Sequence, residues 1–329
     1  MQPYYSFDDI LIAPSNRTFI QSRSEIELEP QLIYSASMSC FDVVYENDTP
    51  KPFTRFAEAM AEAGAMHILS RGINFSDRLY IARQMGEDVG ISVSLDEFLV
   101  HRSLLDQLEG LVSIDIANGG LIPDIISWDG AQKLMIGNYG NPYFRTRRDD
   151  TALVTYKLGV GPGAACTTRT ATGIGFPQAS LIALSRENLG SKVRLVADGG
   201  INTSGDFAKA VALGANAVML GKYFAAAEET PTEVRYNENR EMQIKPYWGM
   251  ASSYGKEVMG KDIQRNIEGG VVELPYYGAT VKELVDQLTD GLRSAMSYTN
   301  SLTIEEFQDK PEIIHVTNSV IKENSTRGY

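Results

Sequence analysis

Residues 193–221 read VRLVADGGINTSGDFAKAVALGANAVMLG, and the order of patterns within them decides the fold. Val193–Ala197 is a short apolar, β-branched run that stops at the turn Asp198-Gly-Gly200, as a buried strand does. Hydroxyl caps at Thr203 and Ser204 then open an amphipathic helical pattern, Thr203–Leu213, which ends at Gly214. A second apolar run, Ala215–Leu220, closes on Gly221. Strand, helix and strand in that order make a parallel unit with a right-handed crossover.

The same alternation recurs upstream. Strands are predicted over Leu32–Ser37, Met66–Ser70, Gly90–Ser94, Leu111–Asp115, Lys133–Ile136 and Val154–Gly159, which with the two above makes eight. A helix is predicted over Phe53–Ala63, stopped by Gly64. Eight such units favour closure into a (β/α)8 TIM barrel over an open Rossmann sheet. The expectation is one barrel domain over residues 1–329, with an N-terminal extension over 1–30 and a C-terminal tail over 300–329. Catalytic groups of such barrels sit on the loops at the C-terminal ends of the strands.

Bulk properties narrow the function. A chain of 329 residues buries about three quarters of its unfolded surface and needs no staples. It contains no apolar run of about 18 residues that could span a bilayer, and its start, MQPYYSFDDI, is acidic where a secretory signal is basic and apolar. A cytosolic protein with no membrane partner is expected. Two cysteines, Cys40 and Cys166, are too few for a disulfide framework and show no metal-ligand spacing with His67, His101 and His315, which argues against structural zinc. His67, inside a predicted strand, reads as a satisfied core residue, and His315 has no legible partner. The net charge of −12 repels polyanions such as DNA or RNA. A single nucleotide is compatible, because backbone amides can hold one phosphate.

The loop after the sixth strand is the richest in chemistry: Gly159-Val-Gly-Pro-Gly-Ala-Ala-Cys166-Thr-Thr-Arg-Thr-Ala-Thr-Gly-Ile-Gly175. Glycines at 159, 161, 163, 173 and 175 allow positive φ and close approach to a ligand. They also turn carbonyls and amides inward, as cation coordination or phosphate binding requires. A lone cysteine is usually a small buried side chain. Among these glycines and beside Thr167, Thr168 and Arg169, Cys166 reads instead as an accessible thiolate nucleophile. The turns Asp198-Gly199-Gly200 and Leu220-Gly221, after strands seven and eight, lie where such barrels cradle phosphate. Asp198 can accept both hydroxyls of a ribose.

GVGPGAACTTRTATGIGFPQ, residues 159–178, resembles the catalytic loop of the IMP dehydrogenases and GMP reductases. Collinear resemblances run through Tyr5–Pro14 (YSFDDILIAP), Asp115–Gly119 (DIANG), Gly137-Asn138, Ala197–Ile201 (ADGGI), Ser204–Asp206 (SGD), Ala217–Gly221 (AVMLG), Tyr247–Ser252 (YWGMAS) and Leu274–Gly278 (LPYYG). Residues 40–100 match only loosely. The resemblance implies that Cys166 attacks C2 of a purine mononucleotide, GMP or IMP, with Glu268 as acid/base partner and Thr168 at the departing ammonia. It places Asp198, Gly199, Gly200, Gly221, Met250 and Ser252 around the nucleotide, and Asp115, Asn118, Gly119 and Gly137 along a nicotinamide cofactor. The carbonyls of Gly161, Gly163 and Cys166 are candidate ligands of a monovalent cation, K+. Arg145, Arg147 and Arg148 read first as a surface charge cluster and second as partners of a 2′-phosphate. Family members are usually homotetramers, which implies an oligomer.

Within the family, the reductase reaction with NADPH is favoured over the NAD-dependent dehydrogenase. The chain lacks the CBS regulatory module inserted between early barrel strands. It has no Arg-Tyr pair between 249 and 275, and Arg235-Tyr236 falls too early. Glu268–Pro275 (EGGVVELP) keeps the reductase spacing. Departures from the family pattern leave the substrate open to a modified purine nucleotide. Ala164 stands where a phosphate-binding serine is usual, Met38-Ser39-Cys40 replaces Met-Asp-Thr, Gly120-Leu121 replaces Tyr-Ser, and Lys222 follows Gly221, where its ammonium can offset the missing serine. A nucleotide-binding barrel without turnover is the alternative from another class.

Overall fold

The computed structural model describes residues 3–46, 49–121, 134–146, 154–258, 269–317 and 320. Eight parallel strands form one sheet: β1 (Ile33–Ser35), β2 (His67–Leu69), β3 (Val89–Val93), β4 (Val112–Asp115), β5 (Leu134–Tyr139), β6 (Thr155–Leu158), β7 (Arg194–Asp198) and β8 (Ala217–Leu220). Each lies beside its neighbours in the chain, and β8 returns to β1. The last gap closes where Tyr34 pairs with Met66; the Ser35 amide donates to the Met66 carbonyl at 2.9 Å and the Met66 amide to that of Ile33 at 3.0 Å. The result is a TIM barrel in which every predicted strand is present. β5 runs three residues past the predicted end at Ile136, which carries Asn138 into the mouth.

Alternation along the strands divides the core in two. Tyr34, Met66, Ile68, Met135, Val196, Ala217 and Met219 form the smaller cluster, filling the barrel interior. The opposite faces meet helices, chiefly α1 (Arg55–Glu62), α2 (Phe75–Met85), α3 (Leu95–Val100), α4 (Gln178–Leu189), α5 (Ser204–Ala212) and α6 (Val281–Tyr298). Phe56, Phe207, Phe224, Leu288 and Leu292 are fully buried between these layers, each contributing about 1.5–3 kcal/mol by leaving water. α5 starts as its sequence predicts: the Thr203 side chain accepts from the Asp206 amide and the Asp206 carboxylate accepts from that of Thr203. Asp206 is thereby a capping residue.

Elements outside the barrel were not legible. Ile10–Ile12 pairs antiparallel with Ile313–His315, so the extension and the tail meet, and His315 stacks on Tyr5 with centroids 4.0 Å apart. Two longer strands, β9 (Gln243–Trp248) and β10 (Val271–Pro275), form an antiparallel pair beside the mouth. Strands of three to six residues are too short to show a readable period. His67 is fully buried, as expected, with Nδ1 2.5 Å from the Ser35 hydroxyl, but it is only half satisfied: Nε2 makes no hydrogen bond among the described residues. Among the described residues no helix is long and apolar enough to cross a membrane.

One buried cation ties α2 to the barrel. Arg78, 1% exposed, donates from Nε to the Ile73 carbonyl at 3.0 Å, from Nη1 to that of Ser92, and from Nη2 to the Glu97 carboxylate at 2.6 Å. Removing one side of a buried pair leaves the other uncompensated. Arg78→Met is expected to lower stability by about 3–5 kcal/mol in a denaturant titration; an unchanged midpoint would show that the pair carries no such load.

Candidate active site

The C-terminal mouth of the barrel opens into a cavity of about 580 Å³ lined from β4, β5, β6, β7 and β8, the Cys166 loop and the segment after β9. Its floor is a charged cluster. Asp115 ends β4, Gly137 and Asn138 lie in β5, Lys157 in β6, and Asp198 ends β7. Lys157 is 2% exposed. Its ammonium donates to Asp115 Oδ1 at 2.9 Å, to Asp198 Oδ2 at 2.8 Å and to Asn138 Oδ1. Asn138 donates in turn to Asp198 Oδ2 at 3.1 Å and to the Gly159 carbonyl at 2.8 Å, and the Ser37 hydroxyl donates to Asp115 Oδ2 at 2.9 Å.

The electrostatics follow from that geometry. Burial alone would discharge Lys157, but Asp115 and Asp198 reverse this and raise its pKa above the ordinary lysine value. Burial would likewise raise Asp115, yet Lys157, then Arg71, then the Lys157 and Ser37 hydrogen bonds outweigh it and hold the carboxyl below its usual range. Lys157 and Asp115 are therefore both ionised near neutrality.

Gly137 makes this reach possible. Asp115 pairs in register with Gly137, and a Cβ on Gly137 would stand 2.7 Å from the Lys157 Cβ and 2.9 Å from its Cε. An empty side-chain position on β5 lets the lysine of β6 pass across to β4. Gly137 thus serves packing rather than facing the cavity.

Cys166 lies on the wall of the cavity, half-buried. Its S–H donates to Thr168 Oγ1 at 3.1 Å, and Thr168 begins the short helix Thr168–Thr172. The Cys166 amide donates to the Gly163 carbonyl at 3.0 Å, so one of the candidate cation ligands already accepts a hydrogen bond. In the same loop Gly159, Gly161 and Gly173 take positive φ, while Gly163 and Gly175 do not. Gly175 is needed for space, because a Cβ there would be 2.7 Å from the Arg169 side chain.

Gly199, Gly200, Gly221 and Lys222 also line the cavity. Gly199 has φ +85°, and a Cβ there would stand 3.0 Å from the Gly163 amide nitrogen, so this turn and the Cys166 loop fit only with glycine. The amides of Gly200 and Gly221 donate to no acceptor among the described residues. The Tyr247 hydroxyl stands where a Cβ on Gly221 would be. Burial first, then the charges of Cys40, Asp198 and Cys166, push its phenol pKa far up and keep it protonated.

Of the residues expected at the nucleotide, Asp198, Gly199, Gly200, Gly221 and Met250 line the cavity, as Asp115 and Cys166 do. Ser252 does not: its buried hydroxyl donates to the Gly249 carbonyl at 2.6 Å and accepts from the Gly255 amide at 3.0 Å. Asn118 and Gly119 lie off the cavity. Asn118 Oδ1 accepts from the Gly120 amide at 3.0 Å, and Gly119 packs under the Tyr139 ring. Glu268 lies outside the described residues, as do Arg147 and Arg148; Gly269, next in the chain to Glu268, pairs antiparallel with Cys166. Arg145 is exposed and away from the cavity. The residues that sequence reading missed are Lys157 and Asn138, and a lysine inside the buried run Val154–Gly159 was the available signal.

At its mouth this TIM barrel joins a half-buried thiol, a buried ion cluster and two glycine turns. The family model described as IMP dehydrogenase / GMP reductase domain matches residues 146–327. The chain belongs to this family, which is one of oxidoreductases. The inosine-5′-monophosphate dehydrogenase of Haemophilus influenzae is 39% identical over 189 residues, covering 53% of this chain and 37% of that protein. The chain therefore matches little more than a third of the length of such dehydrogenases. A GMP reductase of Lactococcus lactis subsp. cremoris is 29% identical over 330 residues, covering 96% of each. Among solved structures, a cysteine-to-alanine GMP reductase from Trypanosoma brucei in complex with guanosine 5′-monophosphate superposes with a TM-score of 0.84 over 100% of this chain and 98% of that one, at 19% identity, which speaks for the fold.

The two thiols differ sharply. Cys40 is fully buried, and burial followed by Asp42 pushes its pKa up, whereas Cys166 opens on the cavity. Brief treatment of the native protein with iodoacetamide is expected to alkylate Cys166 and spare Cys40, as read by peptide mass spectrometry. Equal labelling of both would contradict the assigned environments.

Proposed function

We propose that the protein is an NADPH-dependent GMP reductase, which converts GMP to IMP and ammonia. The observation that carries this reading is the placement of the Cys166 thiol and its Thr168 partner, 3.1 Å apart, on the wall of the cavity that also holds Asp198 and the glycine turns. The phosphate lies against the free amides of Gly200 and Gly221, with Gly199 shaping the turn. The ribose hydroxyls meet Asp198, whose Oδ1 accepts no hydrogen bond among the described residues. Met250 flanks the base, and the Cys166 sulfur faces C2.

Sulfur adds to C2 as a thiolate, and the bond from C2 to the 2-amino group breaks, releasing ammonia. Thr168 steadies the thiolate. Glu268, next to the residue paired with Cys166, gives the proton to the departing amine. NADPH, when bound, supplies the hydride that reduces C2. The sulfur then leaves and the thiolate is restored, so GMP, NADPH and two protons give IMP, NADP+ and ammonium. The cofactor fits the donor set at its nicotinamide end, where the ionised Asp115 carboxylate faces the cavity beside Ser37 and can accept from a ribose. Gly137 and Asn138 underlie that position, while Asn118 and Gly119 shape the loop beside it. The carbonyls of Gly161, Gly163 and Cys166 would hold a K+ ion, Gly163 through its second lone pair.

The reductase reading draws support from the match over 96% of a GMP reductase and from the strand spacing. β2 ends at Leu69 and β3 begins at Val89, which leaves no room for an inserted module there. Arg235 and Tyr236 are exposed and pair with Ile244 and Gln243 on the outer strand β9. A modified purine nucleotide is the second reading. It is favoured by the exposed Ala164 on the cavity wall and by Ser39, which is fully buried and accepts from the Trp248 indole at 3.1 Å instead of facing the ligand. On the family resemblance we infer residues 1–329 to be one catalytic barrel, acting as a cytoplasmic homotetramer.

The test is a substrate matrix of IMP, GMP and 2,6-diaminopurine nucleotides against NAD, NADH, NADP and NADPH. NADPH oxidation with GMP and release of ammonia is the expected result. Cys166→Ala is expected to lose at least about 10³-fold in turnover while still binding GMP. Turnover surviving in that variant would defeat the covalent route, and NAD reduction with IMP would instead indicate the dehydrogenase reaction.

A further inference from the structure

We propose that Lys157 is a positioning residue that ties the nucleotide and cofactor subsites of the cavity into one unit. The inference rests on the functional reading above, in which Asp198 meets the nucleotide ribose and Asp115 the cofactor.

An ammonium has three protons to donate, and Lys157 spends one on each of Asp115, Asn138 and Asp198. These acceptors come from β4, β5 and β7, so one side chain on β6 spans four adjacent strands. The two carboxylates keep 26% and 20% of their side-chain surface exposed, and both line the same cavity. Each therefore presents an acceptor to a ligand while its rotamer is fixed from behind. Without the ammonium, two acids would face one low-dielectric pocket with like charge, and one would take up a proton or turn away. Asn138 reinforces the nucleotide side by donating to Asp198 Oδ2, and Ser37 reinforces the cofactor side by donating to Asp115 Oδ2.

The other charged and titratable groups near the cluster do not replace the lysine. Arg71, following β2, acts on Asp115 only through its charge. Tyr247 on β9 is kept neutral, and the Cys166 thiol donates to Thr168 and not to the cluster. A change at Asp115 must then reach Asp198 through the shared ammonium, and such coupling acts equally in both directions.

The test reads binding directly. GMP is titrated calorimetrically, with no dinucleotide present, onto the wild-type protein and the Asp115→Asn, Lys157→Met and Lys157→Arg variants between pH 5 and pH 8. Asp115 lies on the cofactor side, yet Asp115→Asn is expected to weaken GMP binding at least about 5-fold, because the full pull of Lys157 then falls on Asp198. Wild-type affinity should stay level down to pH 5. In Lys157→Met it should fall as the pH drops, since two like-charged carboxylates would then share the pocket without a counter-charge, and Lys157→Arg should restore the level profile. A merely structural lysine would lower the folded fraction without tilting that profile. Unchanged GMP affinity in Asp115→Asn, or a folded Lys157→Met protein with the wild-type profile, would overturn the proposal. Should Lys157→Met fail to fold by circular dichroism, the Asp115→Asn and Lys157→Arg arms decide. A wild-type protein that binds no purine nucleotide would defeat the functional reading itself, whereas normal GMP binding that ignores Asp115 defeats only the linkage.

Discussion

The site depends on one ammonium buried between two carboxylates. A lysine at the floor of a barrel has little water to solvate it, and its charge survives because Asp115 and Asp198 are within 3 Å. Asp115 is held as an anion by the same ammonium. Each partner makes the others affordable in a place where none would remain charged alone, and the result is a pair of pre-aimed acceptors at the mouth of the barrel.

Local features of the fold serve that arrangement. Strand register sets Asp115 beside Gly137. The missing side chain at Gly137 lets Lys157 cross β5, and the extra length of β5 brings Asn138 level with Asp198. On the other side, Gly199 admits the Cys166 loop to within contact of the β7 turn. The thiol, the acids and the glycine turns thus converge because five neighbouring strands, β4 to β8, end together, which is the general reason barrels place chemistry at this end.

Much of this was legible in the sequence, and what was not has physical causes. The strands announced themselves through apolar runs punctuated by glycine, and the hydroxyl caps at Thr203 and Ser204 marked the start of α5. Cys166, Asp198 and the glycine turns stood out because they fall together on the loops after the sixth, seventh and eighth strands, where barrels place their chemistry. Lys157 and Asn138 were hidden, because a charged side chain within a strand discloses its partners only when the register across three other strands is known. Gly119, Gly137 and Ser252 drew attention as ligand contacts, yet the structure gives them to packing under Tyr139, clearance for Lys157 and a cap on the segment after β9. A glycine or serine in a loop reads alike in either role. The strand Ile10–Ile12 and its partner Ile313–His315 were missed because pairing so far apart in the chain leaves no local signal.

The central claim is that a purine nucleotide lies across this cavity with its ribose on Asp198 and its C2 turned to residue 166. The most direct measurement is a crystal structure of the Cys166→Ala variant grown with GMP, in which the bound nucleotide cannot be consumed. The account predicts both ribose hydroxyls on the Asp198 carboxylate, the phosphate over the Gly199–Gly200 and Gly221 turns, and C2 facing the truncated side chain. Density for the nucleotide outside this cavity, or with its ribose turned away from Asp198, would contradict it.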